Sequence, residues 1–92
     1  QGKYSEADPL YLRAIEIGEK TLGPDHPALA TRLNNRAELL SAQEKYTEAL
    51  PLLERAISIL TKRLGFNHPD TVSTQNSLEV VRKMGRAQLE SL

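Results

Sequence analysis

His26 and His68, with Asn34 and Asn76, are the side chains of this 92-residue chain whose chemistry and spacing invite a functional reading. A histidine can ligate a metal or carry a proton near neutral pH, and an asparagine amide offers both a donor and an acceptor to a neighbour. Each histidine precedes a proline, Pro27 or Pro69, and a metal centre needs three or four converging ligands, which the sequence clusters nowhere. There is no G-x-x-x-x-G-K-[ST] phosphate loop and no G-x-S-x-G elbow. The expectation is a non-catalytic chain with no metal site and no cofactor, in which the histidines are structural loop residues. What the asparagines do depends on the elements that hold them.

Those elements repeat. Both pairs are separated by 42 positions, as are Tyr4 and Tyr46, Pro9 and Pro51, and Gly23 and Gly65, because Gln1 to Pro27 recurs in altered form as Gln43 to Pro69. Self-similarity at a fixed period of this size marks a solenoid, whose units cannot cover their own apolar faces and stack on their neighbours. Equivalent residues such as Tyr4 and Tyr46 should then have like surroundings, with a trough between the stacked pairs. Twelve basic and twelve acidic side chains cancel, removing the long-range field of a nucleic-acid or anionic-membrane binder. The chain contains no cysteine, so disulfides and thiolate chemistry do not arise, and a cytoplasmic, intracellular setting is the default expectation. No apolar run is long enough to span a membrane. The numbering starts inside a repeat, which suggests a segment of a longer protein.

Apolar residues three and four apart predict helices over 4–22 and 46–64, each ended by a glycine, and over 27–43 and 69–84, each begun at a proline. Asp25 or His26, and Asn67 or His68, are the candidate caps. The second helix has Ala30, Leu33, Ala37 and Leu40 as its inner stripe. At the positions matching Leu33, Ala37 and Leu40 the fourth has Gln75, Glu79 and Arg82, leaving Val72, Leu78 and Val81 as its apolar face. Pro9 and Pro51 predict slight bends. Residues 85–92 read as a frayed tail or the start of a further helix.

The string GKYSEADPLYLRAIEIGEKTLGPDHPALATRLNNRAELL resembles the tetratricopeptide repeats of the kinesin light chain type, through its G-K-Y-x-E-A-x-P-L, L-G-x-x-H-P and L-N-N-L-A elements. The likeness covers nearly the whole chain. It implies an all-α, α-solenoid fragment, a single array over 1–92, with four antiparallel helices in the order B-A-B-A. Small residues at helix crossings, Ala37, Ala49 and Ala56, fit that pattern. Arg36 departs from it, replacing an apolar residue, as does Glu44, which replaces a glycine. The polar drift at the C-terminus, where Ala87 and Glu90 replace a tyrosine and an alanine, reads as a capping unit. Arg36 is expected to snorkel outward and put its charge at the rim.

Function in such arrays resides on the concave face, lined by one side of each A helix. The resemblance places Thr31, Asn34, Glu38, Ser41 and Ala42 there, with Ser73, Asn76, Val80, Lys83 and Met84 one period on, and Asn35 as a secondary candidate. Asn34 and Asn76 lead, since repeated amides can grip an extended peptide backbone whatever its side chains. The expected function is a protein–protein interaction scaffold for a peptide segment. Of the basic candidates for a carboxylate clamp, Arg32, Arg36, Arg82 and Lys83, only Lys83 falls at a predicted groove position. Glu38 opposite Lys83 makes the groove mixed in charge. Two alternatives remain open: self-association through the first helix, which exposes Tyr4, Leu10, Tyr11 and Ile17, or a spacer or sensor arm in a larger signalling or adaptor protein.

Overall fold

Local chemistry marks where each helix begins and ends. In the computed structural model, which describes residues 2–91 except the side chain of Ser5, the elements are α1 (Gly2–Thr21), α2 (Pro27–Ala42), α3 (Tyr46–Leu64) and α4 (Pro69–Glu90). Gly23 and Gly65 follow α1 and α3 at φ +96° and +93°. An L side chain at such an angle costs roughly 1–2 kcal/mol, so glycine is the residue that lets the chain turn there. Glu44 pays part of that cost in the α2–α3 turn, at φ 61°.

His26 and His68 turn out to be the N-caps of α2 and α4. Each has extended backbone, and its Nδ1 accepts from the amide of the second helical residue: Ala28 at 3.0 Å and Asp70 at 3.1 Å. A helix start leaves four amides without intrahelical partners, and a neutral imidazole satisfies one as Ser or Asp more commonly does. His26→Ala is therefore expected to cost about 1 kcal/mol, with His26→Asn recovering most of it. Urea unfolding checks this, and equal midpoints for parent and His26→Ala would show that the cap contributes nothing.

The connecting residues 22–26, 43–45 and 65–68 are short, which makes successive helices antiparallel neighbours. Packing runs from α1 to α2, α2 to α3 and α3 to α4. The shortest dimension, 16 Å, is that of two helical layers about 9 Å apart. One layer holds α1 and α3, the other α2 and α4. Pro9 and Pro51 lie inside α1 and α3, which continue through them.

Two apolar clusters form the core. The first joins Ile15 of α1, Leu29, Ala30 and Leu33 of α2, and Ala56, Ile59 and Leu60 of α3. The second joins Ala37 and Leu40 of α2, Tyr46, Ala49 and Leu53 of α3, and Val81 of α4, with Leu50 and Leu78 packed against it. Leu52 touches both clusters. Ala37, Ala49 and Ala56 are buried where helices cross, as their size requires. Val72, expected on the apolar face of α4, is exposed instead. The inner face of that helix begins with two threonines whose hydroxyls are satisfied by backbone: Thr71 donates to the Gly65 carbonyl at 2.9 Å and Thr74 to that of Asp70 at 2.9 Å.

Three further expectations need correction. The fourth helix does not end at Met84 but continues to Glu90, without a frayed tail or a new helix among the described residues. Gly85 is no stop: a Cβ there would lie 3.3 Å from the Tyr46 Cβ, so its small size serves close approach of α4 to α3. Gln88 Nε2 then donates to the Glu44 carbonyl at 3.0 Å, tying the last turns to the α2–α3 turn. Tyr4 and Tyr46 differ in surroundings, 37% and 8% exposed, because α3 packs along both α2 and α4 whereas α1 has α2 as its main neighbour and meets α3 through Ile15 and the Glu19–Arg55 ion pair. Arg36 does not reach outward to the rim. It turns back onto α1, donating from Nε to Asp8 Oδ1 at 2.8 Å and from a terminal nitrogen to Asp8 Oδ2 at 3.3 Å.

Candidate functional site

α2 and α4 face each other across a trough floored by Leu53 and Leu60 of α3. The trough is two adjoining clefts. One, of about 320 Å³, lies at the N-terminal ends of the two helices, between Pro27, Thr31 and Asn34 of α2 and Asp70, Ser73 and Thr74 of α4. The other, of about 280 Å³, lies further along, between Asn34, Ala37, Glu38 and Ser41 of α2 and Ser77, Val80 and Val81 of α4. Asn34 lines both.

The Asn34 amide has a defined orientation. Its Nδ2 donates to Glu38 Oε1 at 3.2 Å, one helical turn on, and a carboxylate can only accept, so Oδ1 is left as the free acceptor. That Oδ1 is buried and has no hydrogen-bond partner, and the Ser41 Oγ is in the same condition. A buried polar atom without a partner costs about 1–3 kcal/mol, so a donor reaching either atom, from a ligand or from water, would relieve that cost.

Thr31, Asn34, Glu38, Ser41, Ser73 and Val80, all expected in the groove, line these clefts; Asn35, Ala42, Asn76, Lys83 and Met84 do not. The reason is geometric. Translation by one period carries a residue to the same edge of the next A helix, whereas a trough between two A helices is walled by facing edges. The exposed pairs Thr31 with Ser73 and Glu38 with Val80 line it on both helices because they stand near the outward crest. Asn76 and Lys83 are exposed on the edge of α4 equivalent to the Asn34 edge of α2, and Asn35 is exposed on the other edge of α2. Of the α4 wall, Ser73 and Val80 were expected, whereas Asp70, Thr74, Ser77 and Val81 are new, and the pairing of Asn35 with Ser77 hinted at one of these. Glu38 consequently has no Lys83 opposite it.

The other basic candidates are engaged elsewhere. Arg32 donates to the Ala14 carbonyl at 2.6 Å, Arg36 holds Asp8, and Arg82 lies 3.2 Å from Glu79 and 3.9 Å from Glu54. None lines the trough, so it contains no carboxylate clamp. The described residues include no group of three or more His, Asp or Glu side chains placed to hold a metal ion.

Two stacked helical pairs with a trough on one flank correspond to a known repeat. The sequence profile of the tetratricopeptide repeat matches residues 1–62 and again residues 33–89. The chain belongs to this family. No curated protein matches it. Tetratricopeptide repeats generally mediate protein–protein interaction and are typically non-catalytic, so the trough between α2 and α4 is the candidate site.

Proposed function

We propose that this tetratricopeptide array is a protein–protein interaction scaffold that takes an extended peptide segment into the trough between α2 and α4. The observation that carries this reading is the buried, unpartnered Asn34 Oδ1 at the junction of the two clefts, held in place by Glu38. An acceptor fixed at that point suits a backbone amide, which every peptide offers except at proline. The L-G-x-x-H-P and L-N-N elements and the 42-residue spacing favour repeats of the kinesin light chain type.

A peptide-array screen with the parent chain, repeated with single variants, tests the reading. Asn34→Ala should leave the fold intact and weaken bound peptides by about 0.5–1.5 kcal/mol. Asn76→Ala, off the trough, should change little. Binders indifferent to Asn34→Ala, or a strong fall in melting temperature with affinity unchanged, would make the residue structural and remove the groove.

One observation supports a second reading, self-association through α1. Leu10 is 68% exposed, and Tyr4, Tyr11, Leu12 and Ile17 are exposed with it on the same helix. Apolar exposure on that scale suits another helix. Light scattering over a dilution series should show an assembly dissociating, and a monomer persisting at high concentration would dispose of it.

A further inference from the structure

The two clefts differ in chemistry, and the difference names a class of ligand. Resting on the peptide reading above, we infer that the trough selects a segment with a lysine or arginine at the Asp70 end and an aliphatic side chain four residues away, against Ala37, Val80 and Val81.

Charge comes first. Glu38 and Asp70 are the ionisable side chains on the lining of the two clefts, and both are acids. The N-terminal ends of α2 and α4 lie at the Asp70 end and would by themselves favour an anion, each with about half a positive charge. Their second-residue amides are already taken by His26 and His68, and the Asp70 carboxylate carries a full opposite charge beside them. The local balance therefore favours a cation. Hydroxyls of Thr31 and Ser73 in the same cleft can accept from an ammonium or guanidinium group.

The second cleft is walled by methyl and methylene groups from Ala37, Leu53, Val80 and Val81, with Glu38 and Ser41 at its side. It suits an aliphatic side chain, whose burial there removes apolar surface from water on both partners. Val80 is 55% exposed and so is free to be covered.

Spacing completes the description. From Asp70 to Val80 along α4 is about 15 Å at 1.5 Å per residue. An extended peptide covers that length in about four to five residues. Side chains four apart in a strand point the same way, so the cation and the aliphatic group enter the trough together, and the backbone between them passes Asn34 Oδ1.

Synthetic peptides blocked at both ends provide the test, with lysine and leucine four positions apart, in both orders, in a serine–glutamine background. Matched peptides carry glutamate for the lysine, or serine for the leucine, and binding to the whole chain is read by fluorescence anisotropy. The lysine–leucine peptides should bind about tenfold or more tighter than the glutamate series, and the preference should shrink as salt rises. Asp70→Asn should weaken them about three- to fivefold and narrow the lysine–glutamate gap. Val80→Ser should reduce the advantage of leucine over serine, with circular dichroism verifying that both variants are folded.

Failure of the lysine–leucine peptides to bind, equal or tighter binding of the glutamate series, or affinities indifferent to both Asp70→Asn and Val80→Ser overturns the inference. Asn34→Ala separates this failure from that of the trough itself. Glutamate peptides that bind and are weakened by Asn34→Ala sink the charge selection while keeping the trough; binding untouched by Asn34→Ala sinks the trough as well.

Discussion

Leu33→Ala should destabilise the chain by about 2–5 kcal/mol, because it removes a buried side chain from a site that cannot collapse around the gap. Leu33 has no exposed surface and lies in the cluster that joins α1, α2 and α3. Its helix packs on both neighbours, so the cavity loosens two interfaces at once. At roughly 0.05–0.15 kcal/mol per residue, a chain of this length has a total stability on the order of 5–14 kcal/mol, which makes the loss a large fraction of the whole. The expected fall in melting temperature is about 10 °C or more. Leu10→Ala is the control: Leu10 is an exposed leucine on α1, and its truncation should stay within about 0.5 kcal/mol. Urea midpoints measured at equal slopes decide the matter. A Leu33→Ala protein no less stable than Leu10→Ala would mean that α2 is not the central helix.

The particular residues that were legible share a property: they act on their own segment. Gly23, Gly65, Pro27 and Pro69 punctuate the backbone locally, so the ends of α1, α2 and α3 fall close to where the sequence puts them. The alanines at the crossings are read equally well, since smallness is visible without knowing the partner. Long-range effects were not legible. Gly85 has the look of a stop, yet its role is to admit Tyr46 from another helix. The α2 wall of the trough follows from the repeat, but the α4 wall does so only at Ser73 and Val80, because a period maps an edge onto the same edge, and those two reach the facing wall from near the outward crest. The outward reading of Arg36 failed for the same reason, since its partner Asp8 stands on α1 and no spacing links the two.

That pair becomes intelligible when the two equivalent interfaces are compared, and the comparison leads to a second large effect. One period on from Asp8 and Arg36 stand Leu50 and Leu78, which both pack against the second core cluster. A similar exchange occurs nearby. Gly18 of α1 leaves room for Arg32, whose guanidinium would lie 2.9 Å from a Cβ at that position, whereas the equivalents are the larger Leu60 and the smaller Thr74. One interface thus uses charge and a long side chain where the other uses apolar burial. Arg36→Leu alone should cost about 1–2 kcal/mol, because it strands a half-buried carboxylate whose pairing hydrogen bonds are charge-assisted. Asp8→Leu together with Arg36→Leu should recover that loss and equal or exceed the parent, since a partly desolvated ion pair is often matched by apolar packing. The double-mutant cycle gives the coupling between the two positions directly. Acid provides an independent check. The hydrogen bonds from Arg36, ahead of its charge, hold the Asp8 carboxyl below its ordinary value, against the opposing effect of burial. Asp8 is therefore a stronger acid in the folded chain than in the unfolded one. Its contribution is complete above the ordinary carboxylate range, about pH 4, and is lost as the pH falls through the lower folded value. The parent should lose stability relative to the double variant over that interval, measured as urea midpoints at stepped pH. A constant difference between the two proteins across it would show that the Asp8–Arg36 pair does not hold α1 against α2.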